Sequence, residues 1–480
     1  MSTNEILGLF LAALTLGTVS YGIIKKYKSQ SVLLAGGLFL LFASIALGLV
    51  PKGVLPKSMM KFSSNSVWFD VFVFIRVTLS SRAAELGLLI MVVTGFARYM
   101  DKIGASRVLV FLAIKPLHIF KRYPYFVLSL GFVIGQLMHM VVPSASGLGV
   151  LLMVTMYPIL ISFGISKITA TAMIATNSCL DLGPASGNTV LAAKNAGLPV
   201  MEYFMSYQLP IALAVTFGVA ILHFFVARYF EAKYDGGLAT GQPREIEAEA
   251  DSTPLPPLWY VLLPLAPLIL IFVFGFKDLN DLLVKHFGQI FNIKLDIIEC
   301  MFVGLIIAMM AQYFATRNLK DTFASVQVFF DGMAKQFAVV VTLIVAGETF
   351  ARGLTTIGAV DALIHGAESI GLAKTPMILV MSLIIMACTL VMGSGNAPFF
   401  SFAALAPEVA KKMGFESVNL LLPMQLTASV TRSVSPITAV VVAVCGISNV
   451  SPFEVVKRTS IPMFGGFIMI QAITIFLFGW

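Results

Sequence analysis

Charge is scarce in this sequence. Of 480 residues only 12% are Asp, Glu, Lys or Arg, roughly half the usual share of a soluble domain, while 58% are hydrophobic. So little polar side chain cannot cover a soluble globule of this size. A water-soluble enzyme or binding module is therefore excluded, and a mean hydropathy of +0.93 points to a polytopic membrane protein. Cysteine is also sparse. Cys179, Cys300, Cys388 and Cys445 each lie within an apolar run at unrelated spacing, which argues against disulfides and thiolate metal sites. A cleavable leader is not expected either: the first run, 6–24, lacks a basic start and a small-residue cleavage site, and "KKYK" follows it. Long basic patches are missing too. The net charge of +8 is spread over segment ends, so nucleic acid is not an expected partner.

What is abundant is the apolar run. Twelve recur, from 6–24 to 460–478, and they predict an all-α polytopic protein in the lipid bilayer. With "KKYK" (25–28) placed inside, the N-terminus is outside. The densest basic loops then also fall inside, including six Lys or Arg within 98–122.

The two halves of the chain repeat one another. "FARYMDKIGA" (96–105) aligns with "FARGLTTIGA" (350–359) at a shift of 254, and Pro184, Glu202 and Pro210 align with Pro436, Glu454 and Pro462 at a shift of 252. This organisation gives N-terminal scaffold helices over 1–66, a first repeat over 67–228, a cytoplasmic Gly/Pro-rich acidic linker over 229–257, scaffold helices over 258–320 and a second repeat over 321–478. The predicted topology turns the copies upside down relative to one another, the signature of secondary carriers.

Each copy is interrupted twice. "VPSASGLG" (142–149) and "MGSGNAPF" (392–399) put serine, glycine, asparagine and proline between arms barely long enough to cross, and predict re-entrant hairpins over about 125–165 and 376–413. Lys121 and Arg122 precede the first hairpin, and Lys411 and Lys412 end the second on the opposite face. Two full spans are the alternative; the repeat favours the hairpins. The second pair, "NSCLDLGPASGNTV" (177–190) and "SVTRSVSPITAV" (429–440), breaks hydrophobic helices spanning about 168–194 and 419–446. Unwound backbone at membrane depth persists only where it lines a polar cavity or is buried in protein, and a helix restarting there presents amides suited to anions.

The ionisable residues in these segments sharpen the site. Arg432 is expected to be the one Lys or Arg left in the membrane, where a guanidinium can grip a carboxylate through two hydrogen bonds; a structural pair with Asp181 or a freed carbonyl is the alternative. Asp181 and His139 are candidates for carrying a coupling cation, with structural pairing the competing role. Glu348 is expected near a helix end, facing Arg352 at i+4. An intramembrane serine hydrolase, suggested by "SASG" and "PASGN" near His139, lacks a second histidine or acid at suitable spacing. A channel, or a carrier of another small anion or an amino acid, remains an alternative.

"GSGNAPFFSF" (393–402), "VVVAVCGISNVSPFEVVKRTSIP" (440–462), "GPASGNTVLAA" (183–193) and "SASGLGVLLM" (144–153) resemble the DcuC-type anaerobic C4-dicarboxylate carriers of the ion transporter superfamily. The resemblance covers nearly the whole chain. It implies a carrier, not an enzyme, in a bacterial inner membrane, exporting or exchanging succinate, fumarate, malate or aspartate with H+ or Na+ and no cofactor. It further implies a homodimer working by an elevator movement, in which 82–206 and 336–459 move while 1–60, 207–318 and the last helix stay. Substrate contacts are expected from Ser144, Ala145, Ser146, Gly147, Ser394, Gly395, Asn396 and Ala397 at the tips. Pro184, Ser186, Arg432, Ser435, Pro436 and Thr438 are expected to contribute from the breaks. Cation coupling is expected from Asp181, Asn177 and His139, with a possible Na+ near the tips. In the superfamily each tip carries Ser-Asn-Thr; here Ser144-Ala145-Ser146 and Ser394-Gly395-Asn396 depart from it, which questions a two-sodium arrangement.

Overall fold

The computed structural model describes residues 3–25, 27–50, 53–234, 255–275, 284–286, 293, 295–362 and 374–478. The linker expected at 229–257 lies largely outside them. All regular structure among the described residues is helical.

Among the described residues eight helices are long and apolar enough to cross a bilayer, by length and composition. The remaining four of the twelve apolar runs form shorter pieces. Pro124–His139 and Ala145–Thr155 come from the runs at 125–142 and 147–165, and Leu258–Phe274 from that at 258–276. The run at 419–446 is cut into Val418–Arg432 and Ala439–Ser448. At 1.5 Å per residue the 16-residue Pro124–His139 spans about 24 Å, short of a hydrocarbon core of about 30 Å.

Local chemistry sets the ends. Pro124 and Pro452 start helices where no amide donor is needed, Asp296 and Glu299 form a reciprocal capping box, and Asn449 closes Ala439–Ser448 in the left-handed conformation.

Two long helices, Val67–Lys102 and Leu319–Thr356, organise the centre. Each contains one π-helical turn, Ala83–Gly87 and Phe337–Val341 respectively, so the second lies 254 residues after the first. The half Leu88–Lys102 packs along Leu319–Gln336, and Thr342–Thr356 packs along Ser29–Ala46. Gly37 allows the latter approach: a Cβ there would stand 2.6 Å from Phe350 N.

The most enclosed helices are those that break. In Val418–Arg432 every residue except Asn419 is buried, and in Lys167–Ala175 everything from Thr169 onward is. A helix that is covered all round has no lipid-facing side, so both belong to the protein's interior.

Candidate functional site

Lys167–Ala175 ends at Thr176, and the chain resumes helix only at Gly187–Ala196. Asp181 lies between them with a φ of +49°, a left-handed conformation that aspartate tolerates better than most residues. Its carboxylate is buried and fully engaged. Ser186 Oγ donates to Oδ2 (2.7 Å), His139 Nε2 lies 2.8 Å from Oδ1, and Arg432 Nη2 lies 3.5 Å from the same oxygen. His139 is thus not a lone membrane histidine; it is a partner of Asp181.

The second break answers the first. Val418–Arg432 stops at Ser433 and helix restarts at Ala439–Ser448. Arg432 Nη2 donates to the Ser178 carbonyl, and Ser433 Oγ donates to that of Ala175 (3.1 Å). Thr438 Oγ1 donates to Arg432 O (2.7 Å) and Thr459 Oγ1 to Ser433 O (2.7 Å). Side chains of the second break thus take up carbonyls of the first, while Thr438 and Thr459 take up those of the second, which is how irregular backbone survives away from water.

A continuous chain of buried amides and hydroxyls supports this crossing. Tyr203 Oη donates to Gln425 Oε1 (2.6 Å), Gln425 Nε2 to Thr189 Oγ1 (3.1 Å), Thr189 Oγ1 to Gln208 Oε1 (2.9 Å), and Gln208 Nε2 to Asp181 O (3.2 Å). Sequence reasoning missed this network, although glutamines within apolar runs were an available signal.

The two tips approach the breaks. Ser144 caps Ala145–Thr155, accepting from Gly147 N (3.2 Å), and Ser394 Oγ accepts from Ala397 N (3.3 Å). Gly393 has a φ of +62°, and a Cβ there would lie 2.5 Å from Ile437 Cγ1. Asn396 Oδ1 accepts from Asn188 Nδ2 (3.2 Å).

Together these elements enclose a cavity of about 240 Å³. Ser144, Ala145, Ser146, Ser394, Gly395, Asn396, Asp181, Arg432 and Thr438 all line it. So do Pro143, Gly393, Ala439 and Val440, with Thr94, Ala97 and Gln336 from the long helices; these last three were not anticipated.

The other expected residues stand behind this lining. Gly147 and Ala397 serve as tip amides, Ser186 and His139 hold Asp181, and Ser435 Oγ donates to Leu390 O (3.0 Å). Pro184 and Pro436 do not line the cavity. Asn177 is buried where a Cβ on Gly135 would lie 2.3 Å from its amide, and neither side-chain polar atom has a partner among the described residues.

The site has mixed charge. Arg432 and Asp181 supply one of each sign, while Ala145–Thr155 and Ala439–Ser448 start at the cavity, the latter with no side-chain cap. Helix starts of this kind attract negative groups. The Arg432 Nε is buried without a partner among the described residues, so the guanidinium is anchored by one nitrogen with donor capacity left. No group of three or more His, Cys, Asp or Glu that could hold a metal occurs among the described residues.

One expectation about charge is corrected. Glu348 does not pair with Arg352: it lies within Thr342–Thr356 and binds Arg82 Nε at 2.6 Å, while Arg352 Nε donates to Val54 O. Arg82 itself lies within the 36-residue Val67–Lys102. The apolar run at 84–97 left Arg82 outside; the continuous helix takes it in.

Comparisons with known proteins now place the chain. It is 35% identical over 466 residues to the anaerobic C4-dicarboxylate transporter DcuC of Escherichia coli K12, covering 97% of this chain and 96% of that one. Among solved structures its fold is similar to the Alcanivorax borkumensis YdaH transporter, with 15% identity, a TM-score of 0.58, and coverage of 95% of this chain and 99% of that one. It is also similar to Neisseria gonorrhoeae MtrF, of a class of antimetabolite efflux pumps, at 14% identity, a TM-score of 0.56, and coverage of 92% and 94%. With its eight candidate spans the chain is a multi-pass protein of the bacterial inner membrane. The model of the C4-dicarboxylate anaerobic carriers matches residues 7–479, and this chain belongs to that DcuC family.

Proposed function

We propose that this chain is a secondary carrier of C4-dicarboxylates such as succinate, fumarate, malate and aspartate, binding them between the two tips and the two breaks. The observation that carries this reading is the convergence of both tips and both breaks on one cavity containing a partly engaged arginine. Ser144, Ser146, Ser394 and Asn396 offer hydrogen bonds to carboxylate oxygens, and Arg432 the charge.

Charge balance argues for a coupled cation. Arg432 and Asp181 cancel, and two helix starts supply roughly half a positive charge each, so a dianion leaves about one negative charge unmatched. A proton on His139 or a Na+ near the tips would balance it, and the unpartnered buried Asn177 supports a cation site behind the break. The shared 254-residue spacing of the π-helical turns supports inverted repeats, with alternating access by an elevator movement of a homodimer.

The test is exchange of labelled succinate in proteoliposomes loaded with candidate countersubstrates. Saturable exchange that unlabelled fumarate, malate or aspartate competes with is expected, together with dependence on either pH or Na+. Flux insensitive to countersubstrate would point to a channel, and competition only by monocarboxylates or amino acids without a second carboxylate would point to another substrate class.

A further inference from the structure

The shift of 254 residues equates side chains as well as backbone. It pairs Arg82 with Gln336, Thr94 with Glu348, and Ala97 with Ala351. Thr94, Ala97 and Gln336 line the cavity. Their counterparts form a second cluster, in which Arg82 Nε binds Glu348 Oε1 at 2.6 Å with side-chain exposures of 25% and 12%. The two clusters flank the point where the π-helical turns meet, since a Cβ on Gly87 would lie 2.8 Å from Val341 Cγ2.

The restarted helices obey the same relation at the shift of 252. Thr438, Ala439 and Val440, which line the cavity, correspond to Ser186, Gly187 and Asn188. Gly187–Ala196 packs against Ala83–Gly87, the turn that follows Arg82 in the chain. The helix start is closed here by apolar side chains: a Cβ on Gly187 would sit 3.6 Å from Phe400 Cζ and 3.7 Å from Ile90 Cδ1. Asn188 already touches Asn396 of the second tip, and its Oδ1 is buried without a partner among the described residues.

We propose that Arg82 is a substrate-binding residue of the opposite-facing state, taking there the place that Gln336 holds in this cavity. The inference rests on the inverted-repeat carrier reading: Arg82 and Gln336 are the first residues of the two moving segments, each beside a π-helical turn, so the opposite-facing state sets the site against Arg82 where Gln336 stands here. Placing a charge pair within apolar helices is costly, and the repeat puts uncharged Gln336 and Thr94 at the equivalent positions. The Arg82–Glu348 contact uses Nε alone among the guanidinium nitrogens, which leaves the terminal nitrogens for a carboxylate. The two faces of the carrier therefore differ at this position: one adds a neutral glutamine to the site that holds Arg432, the other a second cation.

The experiment measures succinate half-saturation separately at each face, in proteoliposomes where protein of one orientation is silenced by an impermeant thiol reagent at an engineered surface cysteine. Arg82→Gln is expected to raise half-saturation at least tenfold at one face and less than twofold at the other, and Gln336→Ala to raise it at the opposite face. Equal shifts at both faces, or none, would overturn the proposal while leaving the carrier reading intact. Absence of succinate exchange by the parent protein would overturn both. If Arg82→Gln does not yield folded protein, the double variant Arg82→Gln with Glu348→Gln removes the unpaired carboxylate and is read by the same criterion. One-sided loss supports the proposal and symmetric behaviour overturns it.

Discussion

Arg432 decides most at the scale of single residues, because it joins both breaks and borders the cavity. Removing one member of a buried charged pair costs roughly 2 to 5 kcal/mol. Arg432→Ala is therefore expected nearly to abolish succinate exchange, and Arg432→Lys to retain charge while losing the two-pronged grip. The measurement is exchange by purified, monodisperse variants; well-folded Arg432→Ala with parental affinity and rate would leave the residue a purely structural partner of Ser178 and Asp181. Asn396 is a milder case. Its carbonyl oxygen is bonded to Asn188, so its amide group remains for substrate, and one such hydrogen bond contributes roughly 0.5 to 1.5 kcal/mol. Asn396→Ala is expected to weaken succinate binding several-fold at unchanged thermal stability, and an unchanged affinity would remove Asn396 from the site.

At the scale of elements, the buried network joining Tyr203, Gln425, Thr189 and Gln208 to the Asp181 carbonyl holds one break in place. Gln425→Leu keeps the size but strands the Tyr203 hydroxyl and leaves Thr189 short of a donor. An unsatisfied buried polar group costs roughly 1 to 3 kcal/mol, so a lowered melting temperature in detergent is expected, with exchange impaired even where the variant is folded. A melting curve that matches the parent would show the network to be dispensable. The proposed hairpins make a topological prediction. The 16-residue Pro124–His139 is shorter than the hydrocarbon core, and on the hairpin reading single cysteines replacing Arg122 and Lys167 are expected to label from the same face, the cytoplasmic one. Cysteines replacing Thr375 and Lys411 are expected to label from the other. Labelling of the first two from opposite faces would replace the hairpin by a full crossing.

At the scale of the whole molecule, the hydrocarbon environment accounts for what could be read from sequence. Lipid satisfies no backbone group, so spans must be long, apolar and helical, and every departure from that rule is visible as glycine, proline, serine or charge. The apolar runs, the places where helices break at 140–144, 176–186, 393–395 and 433–438, and the tip residues that line the cavity were legible for that reason. Of the four runs that form shorter pieces, three were expected to be interrupted, and only 258–276 looked like an unbroken span; it forms Leu258–Phe274.

Only the tertiary structure decided the partners. Arg432 and Ser178 are 254 residues apart, Glu348 and Arg82 266, and Tyr203 and Gln425 222. No local periodicity reports a contact of that separation; nearness in sequence instead suggested Arg352 for Glu348. Which face of a helix meets the cavity depends on its rotation about its axis, which packing sets and composition does not, so Thr94 and Gln336 went unnoticed while Ser186 and Ser435 were expected at the lining. The sequence by itself determined that the chain enters a membrane and where its helices must break. The fold determined which charges meet at those breaks, because burial far from water admits a charge only beside a partner, and partners such as Arg432 for Asp181 come from the other half of the chain.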